Sequence, residues 1–201
     1  MGFNVRLLGL FLCVLLIASC LRVDTDIRLK RNGRVSAILN YTLSADIADF
    51  GRGFGSEEPW FLPLSEKDFI QRSLRSPGVT VKKYKFSSNS DGSSFIHVKL
   101  QADSIMSLSA FLNLDMRIDE QVGNGTFTLR MPNVDIRQEE GDLASLMRKS
   151  VGDASFLFRF RPVVKPHSAT SGIISGHEAR LEIMMRDLLS GKTPPTWVVA
   201  W

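Results

Sequence analysis

Thiols and imidazoles are scarce in this sequence. Two cysteines and three histidines among 201 residues cannot build a disulfide scaffold or an ordinary Cys/His metal site. Charge of one sign is also lacking: 25 Lys+Arg stand against 21 Asp+Glu, which argues against nucleic acid as a partner. Long apolar runs are absent beyond the first twenty residues, which excludes a polytopic membrane protein. Apolar residues are not scarce, at 44%, so the chain is not an intrinsically disordered one.

The one long apolar run is Leu7 to Ala18 (LLGLFLCVLLIA), preceded by the single charge Arg6. Twelve residues fall short of the roughly 20 that a spanning helix needs. They match the apolar region of a secretory signal peptide. Met1-Gly2 does not continue as a myristoylation signal, because Arg6 occupies the Ser/Thr position. The run ends in Ile17-Ala18-Ser19-Cys20.

That ending resembles the lipobox of bacterial lipoproteins, an aliphatic residue and two small residues before Cys. Ala18 and Ser19 fit the pattern. Ile17 stands where Leu is commoner, which suggests a lineage with a relaxed lipobox, such as the spirochaetes. The resemblance implies that residues 1–19 are a signal peptide and that Cys20 carries a diacylglycerol and an amide-linked acyl chain, palmitate for example. Cysteine arithmetic agrees. Cys13 would leave with the leader, so Cys20 would be the lone thiol of an exported chain, a liability unless blocked. The expected location is a membrane surface outside the cytoplasm, and the outer membrane in a two-membrane bacterium, since Leu21 follows the cysteine where Asp would signal retention.

Removing residues 1–19 leaves 182 residues with 24 basic and 21 acidic groups, a charge of +3. The expectation is one domain over residues 20–201. Leu21 to Arg31 alternates apolar and polar, the period of a half-wet strand. Asn32-Gly33 follows, a strong hairpin signal, and alternation resumes from Val35 to Leu43. Strands at 79–86 and 95–102 flank the turn-rich 87–92. Strands at 114–120 and 126–131 flank Gly123-Asn124-Gly125. Helices are expected after Ser65, after Asp103 and after Asp142, each a capping residue. Strands at 155–161 and 178–184, a helical turn at 186–190 and a buried strand at 196–201 complete the chain. The predicted fold class is α+β, a curved antiparallel sheet of hairpins with short helices covering one face. The layout resembles LppM-type lipoprotein domains in its short leader, immediate Asn-Gly hairpin and terminal Trp-x-x-x-Trp strand. That resemblance implies an anchored domain with a lipid-handling surface.

Chemistry-bearing patterns are few. His97, His167 and His177 have no second His or Cys at ligand spacing. Glu57-Glu58 and Glu139-Glu140 are adjacent pairs in polar loops, and adjacency does not converge across a cleft. No Gly-x-Ser-x-Gly occurs. Gly51-Arg52-Gly53-Phe54-Gly55 lacks the spacing of a phosphate loop. Asn40-Tyr41-Thr42 and Asn124-Gly125-Thr126 fit the glycosylation sequon, which a bacterial lipoprotein should not use. Two stretches remain. Residues 47–64 are apolar and Gly/Pro-rich, and fold down as a lid, line a pocket or touch lipid. Phe54, Trp60 and Phe61 are its candidate contacts for an apolar ligand. Lys82, Lys83 and Lys85 form the densest basic cluster, a guarded strand edge or a contact for anionic headgroups.

The expected function is therefore a non-enzymatic envelope lipoprotein, held to the membrane through Cys20, that binds lipid or an envelope protein. No cofactor or metal is expected. The other class left open is a lipid-anchored hydrolase, which would need a convergent polar site.

Overall fold

The computed structural model describes residues 21–44, 63–121, 124–131, 154–189 and 196–201. The expected signal peptide and the lipobox-like residues Ile17, Ala18, Ser19 and Cys20 lie outside them. So do Phe54, Trp60 and Phe61, and the helix expected after Asp142.

The chain opens with the expected hairpin. Strands β1 (Leu21–Leu29) and β2 (Val35–Leu43) pair antiparallel from Leu21↔Leu43 to Leu29↔Val35. Every second residue of both strands is buried, as period-2 patterning requires. The reversal is closed by Gly33 N donating to Lys30 O at 3.0 Å, with Gly33 at φ +75°, a conformation that favours glycine.

Helix α1 (Glu66–Arg75) starts at Ser65, whose hydroxyl accepts from Asp68 N while the Asp68 carboxylate accepts from Ser65 N, each at 3.1 Å. This reciprocal cap satisfies two donors that a helix start otherwise leaves orphaned. Strands β3 (Val79–Ser88) and β4 (Ser94–Ala102) form the second hairpin, and β4 also pairs with β2. Helix α2 (Ile105–Leu112) buries Ile105, Leu108, Phe111 and Leu112. Its cap is Ser104, not the expected Asp103. The Ser104 hydroxyl accepts from Ser107 N at 3.1 Å, whereas Asp103 donates its backbone N–H to Gly78 O and faces Arg34 at 3.6 Å.

Strands β5 (Asp115–Gln121) and β6 (Asn124–Arg130) make the third hairpin. Asn124 and Gly125 belong to β6 rather than to the turn, because Gln121 already pairs with Asn124. The remaining elements are β7 (Ser155–Arg161), β8 (Ser168–Ala169), β9 (Ile173–Ser175), β10 (Glu178–Met184), α3 (Met185–Leu189) and β11 (Thr196–Ala200).

These strands form two sheets. Seven lie in the order β3-β4-β2-β1-β7-β10-β9 and four in the order β5-β6-β11-β8. The α+β class is as expected, with the sheets predominantly antiparallel. One neighbour pair departs from the hairpin pattern: β1 and β7 run parallel, from Arg22↔Ser155 to Arg28↔Arg161. The expected single sheet is joined by a second, because β11 finds its partners in β6 and β8.

The core lies on one face of the large sheet. Over β2, β3 and β4 it is covered by the helices. Phe69 of α1 stacks on Tyr41 (6.2 Å between ring centroids) and on Phe111 of α2 (6.3 Å). At β7 it is covered by the small sheet. Phe127 stacks on Phe160 at 4.1 Å, and Trp197 meets Phe127 edge-on at 5.9 Å. Trp197 and Trp201 are both buried, so the terminal segment is a core strand.

Candidate functional site

The opposite face of the large sheet is polar, and it divides into two halves. Across β1, β7 and β10, cations and anions compensate each other. Asp24 pairs with Arg22 at 3.1 Å and Arg159 at 3.8 Å. Arg161 pairs with Asp26 and with Glu178, both at 3.1 Å, and Arg180 reaches Glu178 at 3.5 Å.

Across β2, β3 and β4 no anion compensates among the described residues. The register brings Thr80, Lys83, Lys85 and Ser87 of β3 beside Phe95, His97, Lys99 and Gln101 of β4, then Ser36, Ile38, Asn40 and Thr42 of β2. No carboxylate stands among them. Lys83 lies directly opposite Lys99, and Lys85 directly opposite His97. Lys82, Lys83, Lys85 and Lys99 are all exposed and form no ion pair among the described residues. Like charges opposite one another across a ladder are destabilising, so this face holds a field that the fold does not need.

A bulge builds the patch. The register of β3 on β4 shifts between Val81 and Lys83, so Lys82 is the extra residue. Strict alternation from Val79 and Val81 would carry Lys83 and Lys85 to the core face. The bulge resets the phase. Tyr84 turns inward, where its hydroxyl donates to Leu64 O at 2.9 Å, and Lys83 and Lys85 turn outward together. Lys83 and Lys85 thus share a face through a bulge rather than through regular alternation.

His97 sits inside the cationic cluster. Its Nδ1 lies 2.8 Å from Asn40 Oδ1, so that nitrogen carries the proton. Its pKa is held below the ordinary imidazole value, first by burial and then by Lys83, Lys85 and Lys99. Two aromatic rings flank the cluster near the hairpin tip. Phe86, on the core-side register of β3, is 51% exposed, and Phe95 is 38% exposed. The tip is tied by Asn89 N to Ser93 O at 2.8 Å. Asp91 accepts from both the backbone N–H and the hydroxyl of Ser93. Those two bonds hold the Asp91 carboxyl below its usual range.

Of the site residues expected from sequence, the structure gathers Lys82, Lys83 and Lys85 on one strand. It adds Lys99, His97, Phe86 and Phe95, which sequence reasoning left out. The signal for Lys99, His97 and Phe95 was the polar phase of β4, readable only once β3 and β4 are paired. The other two histidines lie away from this cluster. His167 donates its backbone N–H to Ala200 O, and exposed His177 follows Gly176 at a turn. Among the described residues, no group of three or more His, Cys, Asp or Glu side chains converges, and no helix is long and apolar enough to cross a membrane.

The fold thus defines an α+β domain of two sheets, with helices on one face of the larger and a cationic patch on the other. No family model and no curated protein matches the sequence. Among solved structures, the folded domain of Mycobacterium tuberculosis LppM is similar over 91% of this chain and 90% of that one, with a TM-score of 0.47 and 13% identity. Yeast LTA4 hydrolase in complex with bestatin matches at a TM-score of 0.30 and 8% identity, and this chain spans 28% of its length.

Proposed function

We propose that the chain is a non-enzymatic lipoprotein of the bacterial cell envelope, anchored through Cys20 and working by binding at the membrane surface. The observation that carries this reading is the junction at residues 17–21. A lipobox-like Ile17-Ala18-Ser19-Cys20 runs directly into Leu21, which is the first residue of β1 and is buried. An acylated Cys20 would therefore hold the folded domain against the bilayer with no linker. Three acyl chains on one residue exceed the two membrane signals that stable attachment needs.

In this reading the bound species is a lipid, another apolar ligand or an envelope protein. Phe54, Trp60 and Phe61 are the proposed contacts for an apolar ligand. Trp60 emission should shift on lipid titration in a Trp197→Phe/Trp201→Phe chain.

Mass spectrometry of the N-terminal peptide tests the anchor. The expected species is a chain beginning at an acylated Cys20, lost in Cys20→Ala, with the variant leaving the detergent phase on partitioning. An unmodified Cys20, or a chain starting elsewhere, refutes the reading.

A further inference from the structure

We infer that the β3–β4 hairpin is a second membrane contact, one that docks on anionic phospholipid headgroups. The inference rests on the anchored reading above for its geometry and on the patch for its chemistry.

Register supplies the geometry. Leu21 pairs with Leu43, Leu43 with Ser94, and Ser94 with Ser88. The first residue after the proposed anchor is thus in line with the tip of the β3–β4 hairpin. Three strand spacings separate them, roughly 15 Å. A bilayer that holds Cys20 is therefore within reach of the tip.

Charge supplies the partner. Lys83, Lys85 and Lys99 are exposed, unpaired among the described residues, and stacked against one another and His97. The hairpin has one carboxylate, Asp91, and Ser93 engages it. Guarding a strand edge takes a lysine or a bulge, and Lys82 supplies both. Placing Lys83 opposite Lys99 adds repulsion that edge protection does not require. An array of anionic headgroups relieves that repulsion and attracts each Lys near the surface. Phe95, exposed on the same face as the lysines, and Phe86, exposed on the other face near the tip, are suited to the boundary between headgroups and acyl chains.

The test uses the full chain carrying Ser90→Cys in the hairpin turn and Cys13→Ser. An environment-sensitive fluorophore is placed at position 90, and the chain is reconstituted into vesicles containing quencher-labelled lipid. Vesicles of roughly one-third phosphatidylglycerol are compared with pure phosphatidylcholine. The inference expects quenching in the anionic vesicles, little in the neutral ones, and loss of quenching in about 1 M salt, where screening acts within ~3 Å. The Lys83→Glu/Lys85→Glu variant should lose the quench. Because its new carboxylates face Lys99 and His97, its melting temperature should be held or raised, which separates binding from folding.

Quenching that is absent from anionic vesicles overturns the inference. So does quenching equal in neutral vesicles, or unchanged in the double variant. Flotation with neutral vesicles reports the anchor separately. Should the chain fail to float, or should Cys20 take up label, the anchored reading fails. The tip is then read in the same way in a Cys13→Ser/Cys20→Ser chain, where anionic-selective quenching supports the contact and its absence overturns it.

Discussion

Gly125 and Trp201 exchange both backbone hydrogen bonds, Gly125 N to Trp201 O at 2.9 Å and Trp201 N to Gly125 O at 3.0 Å. The indole lies where a side chain on residue 125 would stand, and a Cβ there would meet Cε2 at 2.6 Å. Trp201 also packs on Phe160, with ring centroids 5.6 Å apart. A missing methyl on one sheet thus seats a ring that joins it to the other.

Gly125→Ala should therefore destabilise by about 1–3 kcal/mol through overpacking. Trp201→Ala should cost about 3–5 kcal/mol through the cavity it leaves. The double variant should be less unstable than the sum, since the added methyl then has no indole to meet. Urea denaturation of the three chains checks this.

His97 makes stability depend on pH. Burial and its three lysine neighbours hold its folded pKa below the ordinary value. The unfolded chain therefore binds more protons between the two values. Stability should fall as pH drops below about 6.5 and level off beneath the folded value. His97→Gln should flatten that step while retaining a partner for Asn40. Melting temperatures between pH 7.5 and 5 for both chains measure the difference.

Lys83→Glu places opposite charges across the ladder at Lys99. It should raise stability by about 0.2–1 kcal/mol, with the gain shrinking in salt. A loss of stability would show that Lys83 already has a compensating neighbour.

Deleting Lys82 should leave the core intact, because Thr80, Val81, Lys83 and Tyr84 would then alternate without a break. Removing the bulge straightens an edge strand and strips one of its guards. The expected outcome is a near-native melting temperature with faster aggregation, read by light scattering on heating.

The Tyr41 hydroxyl is buried with no hydrogen-bond partner among the described residues, and burial raises its pKa strongly despite the opposing pull of Arg72. Tyr41→Phe should be neutral or stabilising by up to about 1 kcal/mol. Absorbance titration should show the Tyr41 phenol ionising only as the protein unfolds in alkali.

The hairpins were legible because their signals are local. Asn32-Gly33 and the alternation on either side place β1 and β2, with β1 ending at Leu29, two residues short of the expected Arg31, because the turn takes in Lys30 and Arg31. The Ser65 cap was equally local. Asp103 misled because Ser104, one place on, also caps and leaves Asp103 free to face Arg34. The parallel β1–β7 pair was not legible: Phe156, Phe158 and Phe160 announce an inward face without naming a neighbour. Nor was the second sheet, whose centre is the last strand of the chain. The basic cluster could be read from Lys82, Lys83 and Lys85. Its depth could not, because Lys99 and His97 join it across a ladder whose bulge leaves no mark in composition.

The position of β11 governs the order in which the molecule can be completed. It follows the other described strands in sequence, yet it lies between β6 and β8 rather than at an edge. Until it arrives, β6 has only β5 beside it, and the ring faces of Phe127 and Phe160 lack the two indoles. Similarly, β1 precedes β7 in the chain and must wait for it before its second edge is filled. Non-local pairings of this kind slow folding. Until β11 is placed, one edge of β6 and one edge of β8 stay unfilled, an interval in which a chaperone has a defined surface to hold.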